Sequence, residues 1–423
     1  VPARFIPAAL IPPALLTAAL MPLPAAAAPA SFDRALGEFR DTHRRVVAEA
    51  GIVGSSFYFL RDGRTAVADH IGYQDAATRT PVDARTIFHW ASITKTMTGI
   101  AIMQLRDRGL LTLDDPITRY VPELAAVHNP HGSNDAITLR HLMSHSAGYG
   151  GPTWPWREAA WQPFEPAHWS QLVAMLPYTQ VQFRPGSRFS YSNPGIVYLG
   201  QVIERLSGED WEVYVDKNIL RPLGMYDSYF DRTPPHLLPH RSHSYLIRDG
   251  KRVEAPFDAD TGVTVSNGGL NAPMPDMAKY AAFLLGDPAA AARHDLVLKR
   301  SSMEEMWAPQ IAAGEDYSQG RMAPTTKAGL SFFIDQGPGG LTFIGHNGDQ
   351  NGFRAYLSLC PARRAASLLA FNTETRAVEN NPSNRATAES RIALATDRLC
   401  EALPPTGREL AAAPANHGFQ NER

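Results

Sequence analysis

Strand-like sequence occurs at two places far apart in this chain, and that separation constrains the fold more than any other feature. Near the start, Gly54 to Leu60 reads as a strand, Arg61-Asp-Gly-Arg64 as a hairpin turn and Thr65 to Gly72 as the partner strand. Strand texture returns at Gly329 to Asp335, Gly340 to Gly345, Phe353 to Leu359 and Ala366 to Asn372, with Pro361-Ala-Arg-Arg364 as a turn. From Leu113 to about Met322 the chain reads instead as short helices between Pro- and Gly-rich loops. Leu139 to Ser144, His168 to Leu176, Pro194 to Leu206 and Pro275 to Leu284 are examples. A helix is expected from Ser31 to Ala50, with Ser31 as N-cap and Phe32, Leu36, Phe39, Val46 and Val47 at roughly helical spacing; a closing helix is expected from Ala386 to Leu403. The expected class is α/β (α+β): a mostly antiparallel sheet made of the N-terminal hairpin and the C-terminal strands, flanked by helices, with a largely helical region between. In these terms 31–110 and 323–403 supply the sheet region of one domain and 111–322 its helical region. Residues 404–423 have little to pack and are expected to form a disordered tail.

With 423 residues, 44% of them hydrophobic and 19% charged, the chain can bury a large core. A formal charge of −2 leaves no electrostatic footprint for nucleic acid or an anionic membrane. Residues 1–30 read as a secretory signal. Arg4 is the only charge before Asp33, an apolar run from Phe5 to Leu23 follows, and Ala25 to Ala30 is a run of small residues suited to a signal peptidase. Pro7, Pro12 and Pro13 interrupt the apolar run, so no stable membrane anchor is expected; the protein reads as exported, periplasmic or secreted. Cys360 and Cys400 are the two cysteines, compatible with one disulfide or with two buried thiols, and their spacing does not indicate zinc. His236, His240 and His243 are spaced loosely like metal ligands but lie among Pro234, Pro235 and Pro239 and read as a loop, so neither metal nor cofactor is expected.

Three short motifs carry candidate chemistry. In Phe88-His-Trp-Ala-Ser-Ile-Thr-Lys-Thr-Met-Thr-Gly99, Ser92 and Lys95 stand three residues apart where a helical pattern begins, which sets both side chains on one face. A serine hydroxyl needs a base to become a nucleophile near neutral pH, and a lysine serves if burial brings its pKa down. Taken alone, Ser-x-x-Lys is as well read as an incidental surface pair. Tyr191-Ser-Asn193 precedes a helix; the phenol can move protons and the Asn193 carboxamide can orient an amide, or the motif simply caps the helix. His346-Asn-Gly348 ends a strand-like run, and Gly348 permits close backbone approach, although Asn-Gly is also an ordinary hairpin turn. His70-Ile-Gly72 repeats the His-x-Gly pattern ahead of the serine and reads as a decoy. Trp154, Trp156, Trp161 and Trp169 either line an acyl-binding cleft or anchor a loop.

In this order, Ser92-x-x-Lys95, Tyr191-x-Asn193 and His346-x-Gly348 resemble the serine β-lactamase and penicillin-binding-protein superfamily, and within it the class C β-lactamase-like branch with its DD-carboxypeptidases, D-aminopeptidases and esterases. Gly109-Leu-Leu-Thr-Leu-Asp-Asp-Pro-Ile117 and Ile137-Thr-Leu-Arg-His-Leu-Met-Ser-His-Ser-Ala-Gly148 share the resemblance. It implies an acyl-enzyme on Ser92, proton transfers shared by Lys95 and Tyr191, and an amide contact from Asn193. It further implies a cationic or donor group at His346, substrate along the strand edge at Gly348, and an oxyanion hole from the N–H groups of Ser92 and Asp349. Class C β-lactamases typically carry lysine where this chain has His346, so the expected substrate is an ester or amide, with a D-amino-acid peptide as one option. A true β-lactamase and a catalytically silent binder of β-lactams or wall peptides are the alternatives. Arg354 could restore a cation but reads as a solvent-facing strand residue.

Overall fold

The computed structural model describes residues 31–150, 166–248, 250–314, 325–337, 340–375 and 387–405. The expected signal at 1–30, the tail from 406 onward, and Trp154, Trp156 and Trp161 lie outside the described residues.

The two separated strand regions meet in a nine-stranded antiparallel sheet. The N-terminal strands are β1 (Gly54–Arg61), β2 (Arg64–Asp75) and β3 (Thr80–Pro81). The C-terminal ones are β9 (Ile311–Ala312), β10 (Lys327–Ala328), β11 (Phe333–Gln336), β12 (Thr342–Gln350), β13 (Phe353–Cys360) and β14 (Ala365–Phe371). The order β3-β2-β1-β14-β13-β12-β11-β10-β9 is a C-terminal meander closed on the N-terminal hairpin, with β1 on β14 from Ser55↔Phe371 to Arg61↔Ala365. The hairpin turn is at Asp62-Gly63, both with positive φ, as its Asp-Gly sequence requires.

Period-two alternation divides the sheet between two helical layers. Phe57 and Phe59 of β1, with Leu369 and Phe371 of β14, face a core shared with the Phe32–Glu49 helix and the Ala388–Ala395 and Asp397–Glu401 helices. Tyr58 and Leu60, with Leu368 and Ala370, face the larger core around the Thr94–Asp107 and Met274–Leu285 helices. The helix expected from Ser31 to Ala50 is Phe32–Glu49, capped by Ser31. The closing helix is broken in two at Thr396. Cys360 and Cys400 are free, buried thiols in the first of these cores, and the hydrogen bond between them lowers the pKa of Cys360.

The region read as largely helical, 111–322, also holds strands: β9 joins the edge of the main sheet, and others pair in two small sheets that each take one strand from outside the region. β4 (Ile87–His89), β8 (Leu270–Pro273) and β5 (Tyr229–Phe230) form one small sheet; β15 (Thr373–Glu374), β6 (Tyr245–Arg248) and β7 (Lys251–Glu254) form another. Such short strands leave too little alternation to be legible from sequence.

Candidate active site

Ser92 sits where β4 gives way to a helix. Trp90 fixes this junction: its backbone N–H donates to Leu270 O at 2.8 Å and its indole Nε1–H to Ala272 O at 2.9 Å, both on β8. Ala91 then takes a positive φ of 51°, a strained conformation for a residue with a Cβ, and turns the chain sharply into a 3₁₀ turn, Ala91–Ile93. The α-helix begins only at Thr94. Ser92 is therefore on a tight turn at the helix start, not within the helix.

Lys95, one turn on, is fully buried. Its Nζ donates to Ser92 Oγ at 2.9 Å and to the Asn267 carbonyl at 2.8 Å. Burial alone holds the amine well below its ordinary pKa of 10.5, with no carboxylate to offset it. A neutral amine at this place is a proton acceptor in contact with a serine hydroxyl. The Asn267 carbonyl comes from the short Val265–Gly268 helix, whose Ser266 carbonyl also accepts from Thr98 Oγ1 at 2.5 Å. Asn267 belongs to the site and was not singled out from sequence, because a backbone carbonyl leaves no residue-type signal.

Tyr191 faces the same amine, with its ring centroid 5.1 Å from Lys95 Nζ. Both readings of Tyr-Ser-Asn hold together: Ser192 caps the Asn193–Ser207 helix by accepting from Gly195 N–H at 3.1 Å, and Tyr191 turns toward Lys95. Asn193 is the first residue of that helix and half-buried. His145 supports the tyrosine. It has a positive φ of 55°, its ring lies 4.4 Å from that of Tyr191, its Nδ1 accepts from Ser192 N–H at 3.2 Å and its carbonyl accepts from Ser190 N–H at 2.8 Å. Sequence reading took the His145-Ser-Ala-Gly148 stretch only as part of the resemblance; a buried histidine that docks a loop cannot be told in sequence from one in a turn.

β12 carries His346, Gly348 and Asp349 past this junction, and the Ala91–Ile93 turn packs against it. The strand does not turn at Asn347-Gly348. It runs on to Gln350, and the hairpin is made by the second Asn-Gly pair, Asn351-Gly352, with φ of 50° and 79°. A Cβ on Gly348 would lie 2.2 Å from the Trp90 carbonyl oxygen, so the close approach read from this glycine is made by the chain's own backbone, two residues before Ser92. Pairing of β12 with β11 ends at Gly345, and among the described residues His346 to Gln350 pair in the ladder only with β13.

His346 differs from its expected role. Its Nδ1–H donates to the Asn347 carbonyl at 2.7 Å, which leaves Nε2 as an unprotonated acceptor, buried and without a hydrogen-bond partner among the described residues. Burial pushes its pKa down to about 3. It offers neither a cation nor a donor. Arg354 corrects in the opposite sense: it is buried, not solvent-facing, and its guanidinium pairs with Asp349 at 3.1 Å and with Glu374 at 3.6 Å. That pair lies at the Asp349↔Arg354 register position, near the end of β12.

A further chain of contacts holds β12 to the residues before Ser92. Asn271 donates through Nδ2 to the Asp231 and Gly269 carbonyls, each at 3.2 Å, so its Oδ1 must accept from His89 Nδ1–H at 2.9 Å. His89 Nε2 is then an acceptor, and the Gln350 amide 3.1 Å away must present its NH₂ to it. His70, the decoy, contacts Ser56 Oγ at 2.9 Å on the sheet. Among the described residues no group of three or more His, Cys, Asp or Glu side chains could hold a metal ion. His243 pairs with Glu254 at 2.6 Å.

The Beta-lactamase family model matches residues 35–391. The chain belongs to that family. Esterase EstB of Burkholderia gladioli is 31% identical over 258 residues, which cover 57% of this chain and 61% of EstB; the match thus spans about three fifths of that relative. The structure of an octameric penicillin-binding protein homologue from Pyrococcus abyssi superposes with a TM-score of 0.70 at 26% identity, covering 87% of this chain and 79% of the other. A class C β-lactamase mutant, at 18% identity, has the same fold, with a TM-score of 0.68 over 87% of this chain and 97% of its own. The mixed α/β fold read from the separated strand regions is the fold of these family members.

The buried imidazoles also set an acid limit to stability. Burial lowers His43 and His89 to about 4 and His346 to about 3, and holds His145 well below 6.5. Between about pH 6.5 and those values the unfolded chain binds protons that the folded chain does not, so stability is complete above about 6.5 and is lost as pH falls. Each histidine contributes a slope of about 1.4 kcal/mol per pH unit. Urea unfolding should therefore show a midpoint that falls steeply from pH 6.5 to 4.5, and His346→Asn should lessen the slope by about one proton. A midpoint flat over that range would contradict the buried neutral imidazoles.

Proposed function

We propose that this protein is an exported serine hydrolase that cleaves an ester or amide through an acyl-enzyme on Ser92. The observation that carries the reading is the 2.9 Å contact between Ser92 Oγ and a fully buried Lys95 amine held well below its ordinary pKa. In the first half-reaction Lys95 Nζ, with Tyr191 beside it, takes the hydroxyl proton as Oγ attacks the carbonyl carbon. The N–H groups of Ser92 and Asp349 receive the developing oxyanion, and the proton passes to the leaving oxygen or nitrogen. Water then attacks the Ser92 ester by the same path in reverse. Asn193 orients an amide on the substrate, which lies along the edge of β12 beyond the end of its pairing with β11 at Gly345.

His346 and Arg354 favour an uncharged ester, or a D-amino-acid peptide whose C-terminus is amidated, over a penicillin. Penicillins carry a carboxylate, and at this site His346 is neutral with a bare Nε2 while Arg354 is engaged by Asp349 and Glu374. A missing charge-assisted contact is worth about 1.5–3 kcal/mol, roughly ten- to a hundredfold in kcat/KM. Steady-state kinetics should give a higher kcat/KM for a short-chain p-nitrophenyl ester or a D-alanyl peptide amide than for benzylpenicillin, with His346→Lys narrowing the gap. Benzylpenicillin turned over more efficiently than either would promote the β-lactamase reading.

A further inference from the structure

Arg241 is a buried cation that makes no ion pair among the described residues. It is 6% exposed, and its guanidinium carbon lies 4.8 Å from the centroid of the Phe353 ring. Its Nε and Nη1 are buried and have no hydrogen-bond partner among the described residues. A guanidinium stays protonated at any working pH, and burying its Nε and Nη1 without partners is costly. Beside it is a small cavity of about 10 Å³, lined also by His89, Ser244, Asp258, Asn351 and Phe353.

The other polar groups of this cavity are spoken for. Ser244 Oγ donates to the Asn351 carbonyl at 2.6 Å, and both ring nitrogens of His89 are used by Asn271 and Gln350. Asp258 is the obvious counter-ion, yet its carboxylate accepts from the Thr233 N–H at 3.0 Å and the Thr233 hydroxyl at 2.5 Å rather than from the guanidinium. A water molecule would satisfy donors but not the charge, and the Asp258 carboxylate in the lining disfavours a multiply charged anion such as phosphate or sulfate.

We propose that the Arg241 cavity binds one small monovalent anion of halide size. The anion would accept from the Arg241 guanidinium, with its charge set against the cation and Phe353 closing the other face. This inference rests on Arg241 and its cavity alone and is independent of the reaction at Ser92.

The test uses the full chain without substrate. Protein in sodium gluconate is titrated with sodium bromide or chloride at constant ionic strength, and crystals grown in bromide are examined by anomalous scattering. The expected results are a saturable rise in thermal midpoint of about 1–3 °C by about 0.1 M halide, and an anomalous peak within hydrogen-bond reach of the guanidinium. In Arg241→Met the halide response should vanish. An equal response in that variant, or a bromide-grown crystal with only water beside Arg241, would overturn the proposal; should the variant fail to fold, the anomalous map of the unmodified protein decides.

Discussion

Ser92→Ala should leave a folded protein that takes up no acyl group and turns over an activated ester at least about 10³-fold more slowly. Folding is expected to survive because Ser92 is only partly buried and the turn around it is held by Trp90 and Thr94, not by the hydroxyl. Lys95→Ala and Tyr191→Phe should each cost a similar factor, since both act on the one proton that leaves Oγ. For the same reason the losses should not multiply: the double variant should be little worse than either single one. A double variant that lost the full product would show that the amine and the phenol act in separate steps, and the shared transfer would have to be abandoned.

Gly348→Ala should be nearly as damaging, although the change adds one methyl group far from any proton transfer. The new Cβ would meet the Trp90 carbonyl oxygen at 2.2 Å, well inside contact distance, and neither partner is a flexible side-chain end. Trp90 is pinned to β8 by two hydrogen bonds, so β12 must move away from the Ser92 turn. That movement carries the Asp349 N–H with it. Loss of one oxyanion donor typically lowers kcat about 10²–10³-fold. The expected result is a fall of that order in kcat for an activated ester, with Ser92 still phosphonylated slowly by a reactive fluorophosphonate with loss of fluoride, which separates a displaced oxyanion hole from a lost nucleophile. Wild-type kcat in Gly348→Ala would mean that β12 does not contribute to the hole.

Much of this site was legible in sequence because its chemistry resides in side-chain type and order: a serine with a lysine three residues on, then a tyrosine, then a histidine before a glycine. The sheet was legible because alternation and turn residues marked its two halves. What the sequence hid was set by tertiary contact. The choice between two Asn-Gly pairs for one hairpin depends on the register that puts Gln350 opposite Phe353. Whether His346 donates or accepts depends on its Nδ1–H reaching the Asn347 carbonyl. Arg354 could face solvent or the interior with equal propensity, and pairing with Asp349 and Glu374 decided it. His89, His145 and the Asn267 carbonyl act by holding other groups, and such roles leave no spacing to read.

Intact-mass spectrometry of the full chain, sampled over time after mixing with a p-nitrophenyl ester at low pH and again with benzylpenicillin, tests the acyl-enzyme most directly. The account predicts a transient mass increase equal to the acyl group, located by peptide mapping on Ser92 and absent from Ser92→Ala. Ester turnover with the adduct mapped to any other residue, or turnover that persists undiminished in Ser92→Ala, would contradict it.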